Sequence, residues 1–68
     1  MAERLSNRIK ERRAEPGLTQ AELAQRVGVT RKTVNTVENG VFTPSSILAI
    51  KLAEALGLSV EQLFRIEE

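Results

Sequence analysis

Three residues, Gly28-Val29-Thr30, separate two segments that each carry a helical pattern of apolar positions. On one side stand Leu23, Ala24 and Val27, and on the other Val34 and Val37. A connection that short forces two helices to cross steeply rather than lie antiparallel. Close crossing needs a small residue at the contact and a permissive backbone in the turn. Ala24 supplies the first and Gly28 the second. Leu23, Val27, Val29, Val34 and Val37 then fill the angle between the helices. This bihelical corner constrains the fold more than any other feature of the chain.

The same helix-start pattern recurs along the sequence. In Leu18-Thr19-Gln20-Ala21-Glu22-Leu23, Thr19 and Glu22 fit a capping box, with Leu18 and Leu23 at the positions of a hydrophobic staple. Leu58-Ser59-Val60-Glu61-Gln62-Leu63 repeats it. Val29-Thr30 before Val34 has the staple with a threonine cap, and Phe42-Thr43-Pro44 before Ile47 has it with Pro44 at the first helical position. Gly17, Gly28, Gly40 and Gly57 punctuate these segments. The pattern predicts helices near 3–14, 20–27, 31–39, 44–56 and 60–65. No stretch alternates with period two over strand length, so an all-α, compact five-helix bundle is expected, one domain over 1–68. Its expected core comprises Leu5 and Ile9 of the first helix, the corner residues, and Ile47, Ile50, Leu52, Ala53 and Leu56 of the fourth.

With 68 residues, the chain is near the lower end of what folds alone, and its stability is expected to be marginal. It contains no Cys and no His, which removes disulfides, thiolate metal sites and the commonest general base. There is no phosphate-binding glycine loop and no spaced carboxylate cluster, so an enzyme is not expected, nor a metal or other cofactor. No apolar run is long enough for a membrane span or signal peptide, and a cytoplasmic location is expected. Net charge is only +1, but its distribution is uneven. Arg4, Arg8, Lys10, Arg12 and Arg13 outweigh Glu3 and Glu11 at the front, while Glu54, Glu61, Glu67 and Glu68 outweigh Lys51 and Arg65 behind. Such a chain can offer one face to an anion.

The segment QAELAQRVGVTRKTVNTVEN, Gln20–Asn39, resembles the helix-turn-helix of the phage repressor and Cro type, also called xenobiotic-response-element regulators. Ala24, Gly28, Val34 and Val37 carry the match. The preceding IKERRAEPGLTQ resembles that family's first helix and loop, and TPSSILAIKLAEALGLSVEQLF its fourth and fifth helices. The resemblance implies a lambda-repressor-like domain that binds double-stranded DNA, nucleoid-associated through that binding.

At about 100° per residue, Val34 and Val37 define the buried side of the third helix. Lys32, Asn35 and Thr36 fall opposite, with Arg31 and Thr33 on the flanks. Arg and Lys match guanine O6 and N7, Asn pairs with adenine, and a Thr methyl can touch thymine. The resemblance assigns base reading to Arg31, Lys32, Asn35 and Thr36, and a contact with the DNA backbone to Asn39. Gln20, at the start of the second helix where free N–H groups favour an anion, and Thr30 and Thr33 are expected to contact the backbone too. Val41 stands where many relatives have a basic residue, which implies a smaller phosphate contribution from that loop. Glu38 falls near the buried stripe, where a lone carboxylate is costly. Arg13 is its expected partner, matching an Arg–Glu pair buried in the family, and both are assigned to structure.

Phe42 is expected in the core through its staple with Ile47. Beyond Gly57, the helix is too short to bury Leu58, Val60, Leu63, Phe64 and Ile66 together. Leu58, Val60, Phe64 and Ile66, within 58–68, are therefore expected to form a contact with a second copy, as this region often does in the family. A homodimer suits the function implied, because two recognition helices about 34 Å apart read a palindrome. The expectation is a sequence-specific transcriptional regulator, a repressor in the simplest case. The same fold also serves antitoxins and restriction-modification controllers, and a protein-interaction module that does not bind DNA is a further class. Such a module would favour an apolar or acidic outer face on the third helix, whereas Arg31, Lys32 and Asn35 are neither. Nothing in the sequence points to a small-molecule effector.

Overall fold

Side-chain caps decide where the helices begin. The computed structural model describes residues 3–67. In chain order it has β1 (Arg4–Asn7), α1 (Ile9–Ala14), α2 (Gln20–Val27), α3 (Arg31–Glu38), α4 (Ser46–Ala55), α5 (Val60–Leu63) and β2 (Phe64–Glu67). Both expected capping boxes form. Thr19 Oγ1 accepts from Glu22 N at 3.0 Å, and Glu22 Oε1 accepts from Thr19 N at 2.9 Å. Ser59 and Gln62 exchange the corresponding bonds at 3.2 and 2.8 Å. Accepting from the backbone amide stabilises the ionised form, so the Glu22 carboxyl titrates below its ordinary value.

The expectation of an all-α chain is corrected at its ends. Residues 4–7 are not helical, and α1 starts only at Ile9. Asn7 explains the break: its Oδ1 accepts from Ile9 N at 3.1 Å, and its Nδ2 donates to the Val37 carbonyl at 2.9 Å. A side chain that bonds neighbouring backbone in this way competes with helix continuation. The freed residues instead pair antiparallel with β2, in the register Arg4↔Glu67, Leu5↔Ile66, Ser6↔Arg65 and Asn7↔Phe64. Arg8 N extends the link by donating to the Leu63 carbonyl at 2.9 Å. Residues directly opposite share a face of a sheet. Leu5, Asn7, Phe64 and Ile66 therefore lie on one side, and Arg4, Ser6, Arg65 and Glu67 on the other.

α4 needs a second correction. Its cap is Ser45, whose Oγ accepts from Leu48 N at 3.2 Å, and not Thr43 with Pro44. The later start removes the Phe42–Ile47 staple, leaving these residues 48% and 69% exposed. Ile50 also faces outward, and the inward side of α4 is Leu48, Ala49, Leu52, Ala53 and Leu56. A segment as uniformly apolar as SILAIKLAEA carries little periodicity from which to choose a face.

Ile9, the residues of the α2–α3 corner, Leu52 and Ala53 are buried as expected, and Leu63 and Phe64 join them. Ile9, Leu23, Ala24, Val27, Val34, Val37, Leu52, Ala53, Leu63 and Phe64 make one buried cluster, with Leu5, Val29, Leu58 and Val60 partly buried against it. Among the described residues, no helix is long and apolar enough to cross a membrane.

Candidate nucleic-acid interface

The corner between α2 and α3 is built on a single carbonyl. Gly28 adopts φ +79°, which lets its N–H and that of Val29 both return to the Ala24 oxygen, at 2.9 and 3.0 Å. An added Cβ at Gly28 would meet open space, so Gly28→Ala incurs backbone strain alone. A loss of about 1–2 kcal/mol is expected from holding a non-glycine residue in the left-handed region, measured by thermal or urea unfolding.

Thr30 then starts α3, its Oγ1 accepting from Thr33 N at 3.2 Å and sharing a hydrogen bond with the Thr33 hydroxyl at 3.0 Å. Val34 and Val37 dock the helix. Arg31 and Lys32 are exposed on the opposite side, while Thr33, Asn35 and Thr36 are half-buried. The Thr36 hydroxyl donates to the Thr33 carbonyl at 2.9 Å, so its proton is spent within the helix. After Asn39 the chain folds back on α3, with the amides of Val41 and Phe42 both donating to the Thr36 carbonyl, at 3.0 and 3.2 Å. Exposed Val41 and Phe42 thereby border an open depression shared with Lys32, Thr33 and Thr36.

Behind this face lies the expected ion pair. Arg13 Nε donates to Glu38 Oε2 at 2.7 Å and Arg13 Nη2 to Oε1 at 3.1 Å. The Glu38 side chain is 4% exposed and that of Arg13 15%. The charge-assisted hydrogen bond to Glu38 raises the Arg13 pKa, against the opposing effect of burial. Arg13 Nη1 also donates to the Leu18 carbonyl at 3.1 Å, which fastens the loop before α2.

Sequence reasoning did not find what continues from this pair. Gln20 Nε2 donates to Glu38 Oε1 at 3.1 Å, turning the Gln20 amide toward the protein rather than wholly outward. Asn35 Nδ2 donates to Gln20 Oε1 at 3.4 Å, and Asn39 Nδ2 donates to Asn35 Oδ1 at 2.7 Å. The outer face of α3 is thus connected by hydrogen bonds to the buried carboxylate. Only the common polarity of Gln20, Asn35, Glu38 and Asn39 hints at this in the sequence, because the bonds join separate elements.

The expected self-association patch is only partly at the surface. Phe64 is 7% exposed and belongs to the core, whereas Ile66 is 66% exposed. Leu58 and Val60 are half-buried. Phe64 is removed from the exposed set because β2, rather than a continued α5, carries it inward next to Leu63.

A helix-turn-helix family model matches residues 9–63. An uncharacterised HTH-type transcriptional regulator of Methanothermobacter thermautotrophicus is 52% identical over 61 residues, covering 88% of each chain. The restriction-modification controller protein C.AhdI from Aeromonas hydrophila superposes with a TM-score of 0.75 at 35% identity, over 79% of this chain and 82% of its own. The clp gene regulator ClgR from Corynebacterium glutamicum gives a TM-score of 0.72 at 35% identity, over 76% of this chain. This chain spans only about half of ClgR, 55%. The steep α2–α3 corner, its docked valines and these matches have one reading: the chain belongs to the helix-turn-helix family of the phage repressor and Cro type, a family of DNA-binding transcriptional regulators.

Proposed function

We propose that the chain is a repressor that binds a palindromic operator as a homodimer, with α3 of each copy in the major groove. The observation that carries this reading is the outer face of α3, where exposed Arg31 and Lys32 stand beside the tethered amide of Asn35. Arg31 and Lys32 address guanine O6 and N7, Asn35 adenine, and the Thr36 methyl a thymine methyl. Gln20, Thr30, Thr33 and Asn39 contact phosphate and set register. No chemistry on the DNA is involved, and repression follows from occupancy of a promoter.

Selection of bound duplexes from a random pool tests the assignment. A palindrome with half-sites one helical turn apart is expected. Lys32→Ala should relax preference at one base pair per half-site, costing about 1–3 kcal/mol. Binding without sequence preference, insensitive to Lys32→Ala and Asn35→Ala, would overturn it.

The second copy docks on Ile66 and Leu5, which face one another across the sheet, together with half-buried Leu58 and Val60. Ile66→Lys is expected to shift the chain toward monomer in sedimentation equilibrium and to weaken operator binding. The monomer's melting temperature should stay essentially unchanged, because an exposed position contributes little to the fold. Similarity to C.AhdI supports a second reading, a controller of a restriction-modification system. The genes that follow the selected sites would separate the two.

A further inference from the structure

The hydrogen bonds joining Glu38, Gln20, Asn35 and Asn39 run in one direction, and the chemistry of Glu38 dictates which. An ionised carboxylate only accepts hydrogen bonds. Glu38 takes two from Arg13 and one from Gln20. Gln20 must therefore turn its NH2 group to Glu38, leaving its carbonyl oxygen toward Asn35. Only a donor can satisfy that oxygen, so Asn35 turns its NH2 group toward Gln20. The Asn35 oxygen then points the other way, where Asn39 Nδ2 meets it at 2.7 Å. The direction follows from the carboxylate and does not depend on telling amide nitrogen from oxygen.

This leaves Asn35 with one unused N–H and one unused oxygen lone pair, in a fixed order. Adenine alone offers the matching pair in the major groove, the N7 acceptor beside the N6 donor. Guanine offers two acceptors there, and cytosine's exocyclic amine is a donor with no acceptor beside it on the same base. An amide free to rotate could offer its N–H group or its oxygen alone and accept either base. We propose that Glu38 and Gln20 are positioning residues for specificity: the buried carboxylate, acting through the Gln20 amide, locks Asn35 in the orientation that accepts adenine and rejects guanine. This role rests on Asn35 reading a base, as proposed above, and gives Glu38 a second task besides its ion pair.

The test compares base preferences of the full chain with those of Asn35→Ala, Gln20→Met and Glu38→Gln. Single-base variants of the selected operator are used, and each protein's melting curve is recorded alongside. Asn35→Ala identifies the base pair that Asn35 reads, where the parent chain should prefer adenine over guanine by roughly tenfold or more. Gln20→Met removes both hydrogen bonds of the relay from a half-exposed position at the start of α2. It should stay folded and bind every site more weakly, as loss of a phosphate contact does, with that preference in addition reduced below about twofold and preferences at other positions kept. Glu38→Gln keeps the shape but adds a donor, and where it folds it should relax the same position. A Gln20→Met profile identical to the parent's overturns the relay, as does an Asn35→Ala profile that changes at no position. A uniform loss across all bases with Gln20→Met and no change of preference also overturns it, since it would mark Gln20 as a phosphate contact alone. A parent chain that binds no duplex at all instead removes the underlying reading, so the two failures are distinct.

Discussion

Glu38→Ala is expected to destabilise the chain by about 3–5 kcal/mol, the usual cost of leaving one member of a buried ion pair without its partner. For a domain of 68 residues, the total stability is itself about 3–10 kcal/mol, so the variant should lose from roughly a third of it to all of it. The effect is large because Glu38 ties three parts of the structure together. It accepts from Arg13 at the end of α1 and from Gln20 at the start of α2, and it sits on α3. Arg13 in turn fastens the loop through the Leu18 carbonyl. Denaturant unfolding measures the loss, and an unchanged midpoint would reject the buried pair. Replacing Arg13 and Glu38 together with apolar residues of similar volume should recover much of it, because no charge is then left stranded. The double variant separates the stability of the pair from its electrostatic service to the α3 surface.

Phe64→Ala should cost about 3–5 kcal/mol by leaving a large cavity in a small core. Phe64 stands next to Leu63 in the buried cluster and opposite Asn7 in the sheet. Its loss affects the attachment of β2 and the packing of the buried cluster at once. Ile66 lies two positions along the same strand and on the same face, yet its substitution should leave the fold intact. Thermal unfolding of the two variants at matched concentration decides between core and surface roles. Equal melting temperatures for Phe64→Ala and Ile66→Lys would contradict the burial of Phe64.

The contrast between these positions shows what local patterns carry. Leu23, Ala24, Val27, Val34 and Val37 were legible because each occupies a helical spacing next to its own cap, and those signals agree. The start of α4 was not, because Thr43 and Ser45 both make acceptable caps and the helix they introduce is apolar nearly all round. The strands were hidden for a different reason. Four residues are too few for alternation to stand out, and the partner of Arg4–Asn7 lies at the far end of the chain. The outward face of α3 could be read from Val34 and Val37 alone. That Gln20 would turn inward to Glu38 and hold Asn35 could not, since it depends on how two helices meet in space.

The pairing of β1 with β2 also orders the events of folding. Arg4 opposite Glu67 closes nearly the whole chain into one loop, and the entropy lost in joining distant residues must be met before their contact is rewarded. The helices and the α2–α3 corner depend on near neighbours and can form early. The strands can close only when the bundle has brought the chain's ends together. A fluorophore and quencher placed on β1 and β2 would therefore report the final step of assembly, while far-ultraviolet circular dichroism would follow the earlier ones.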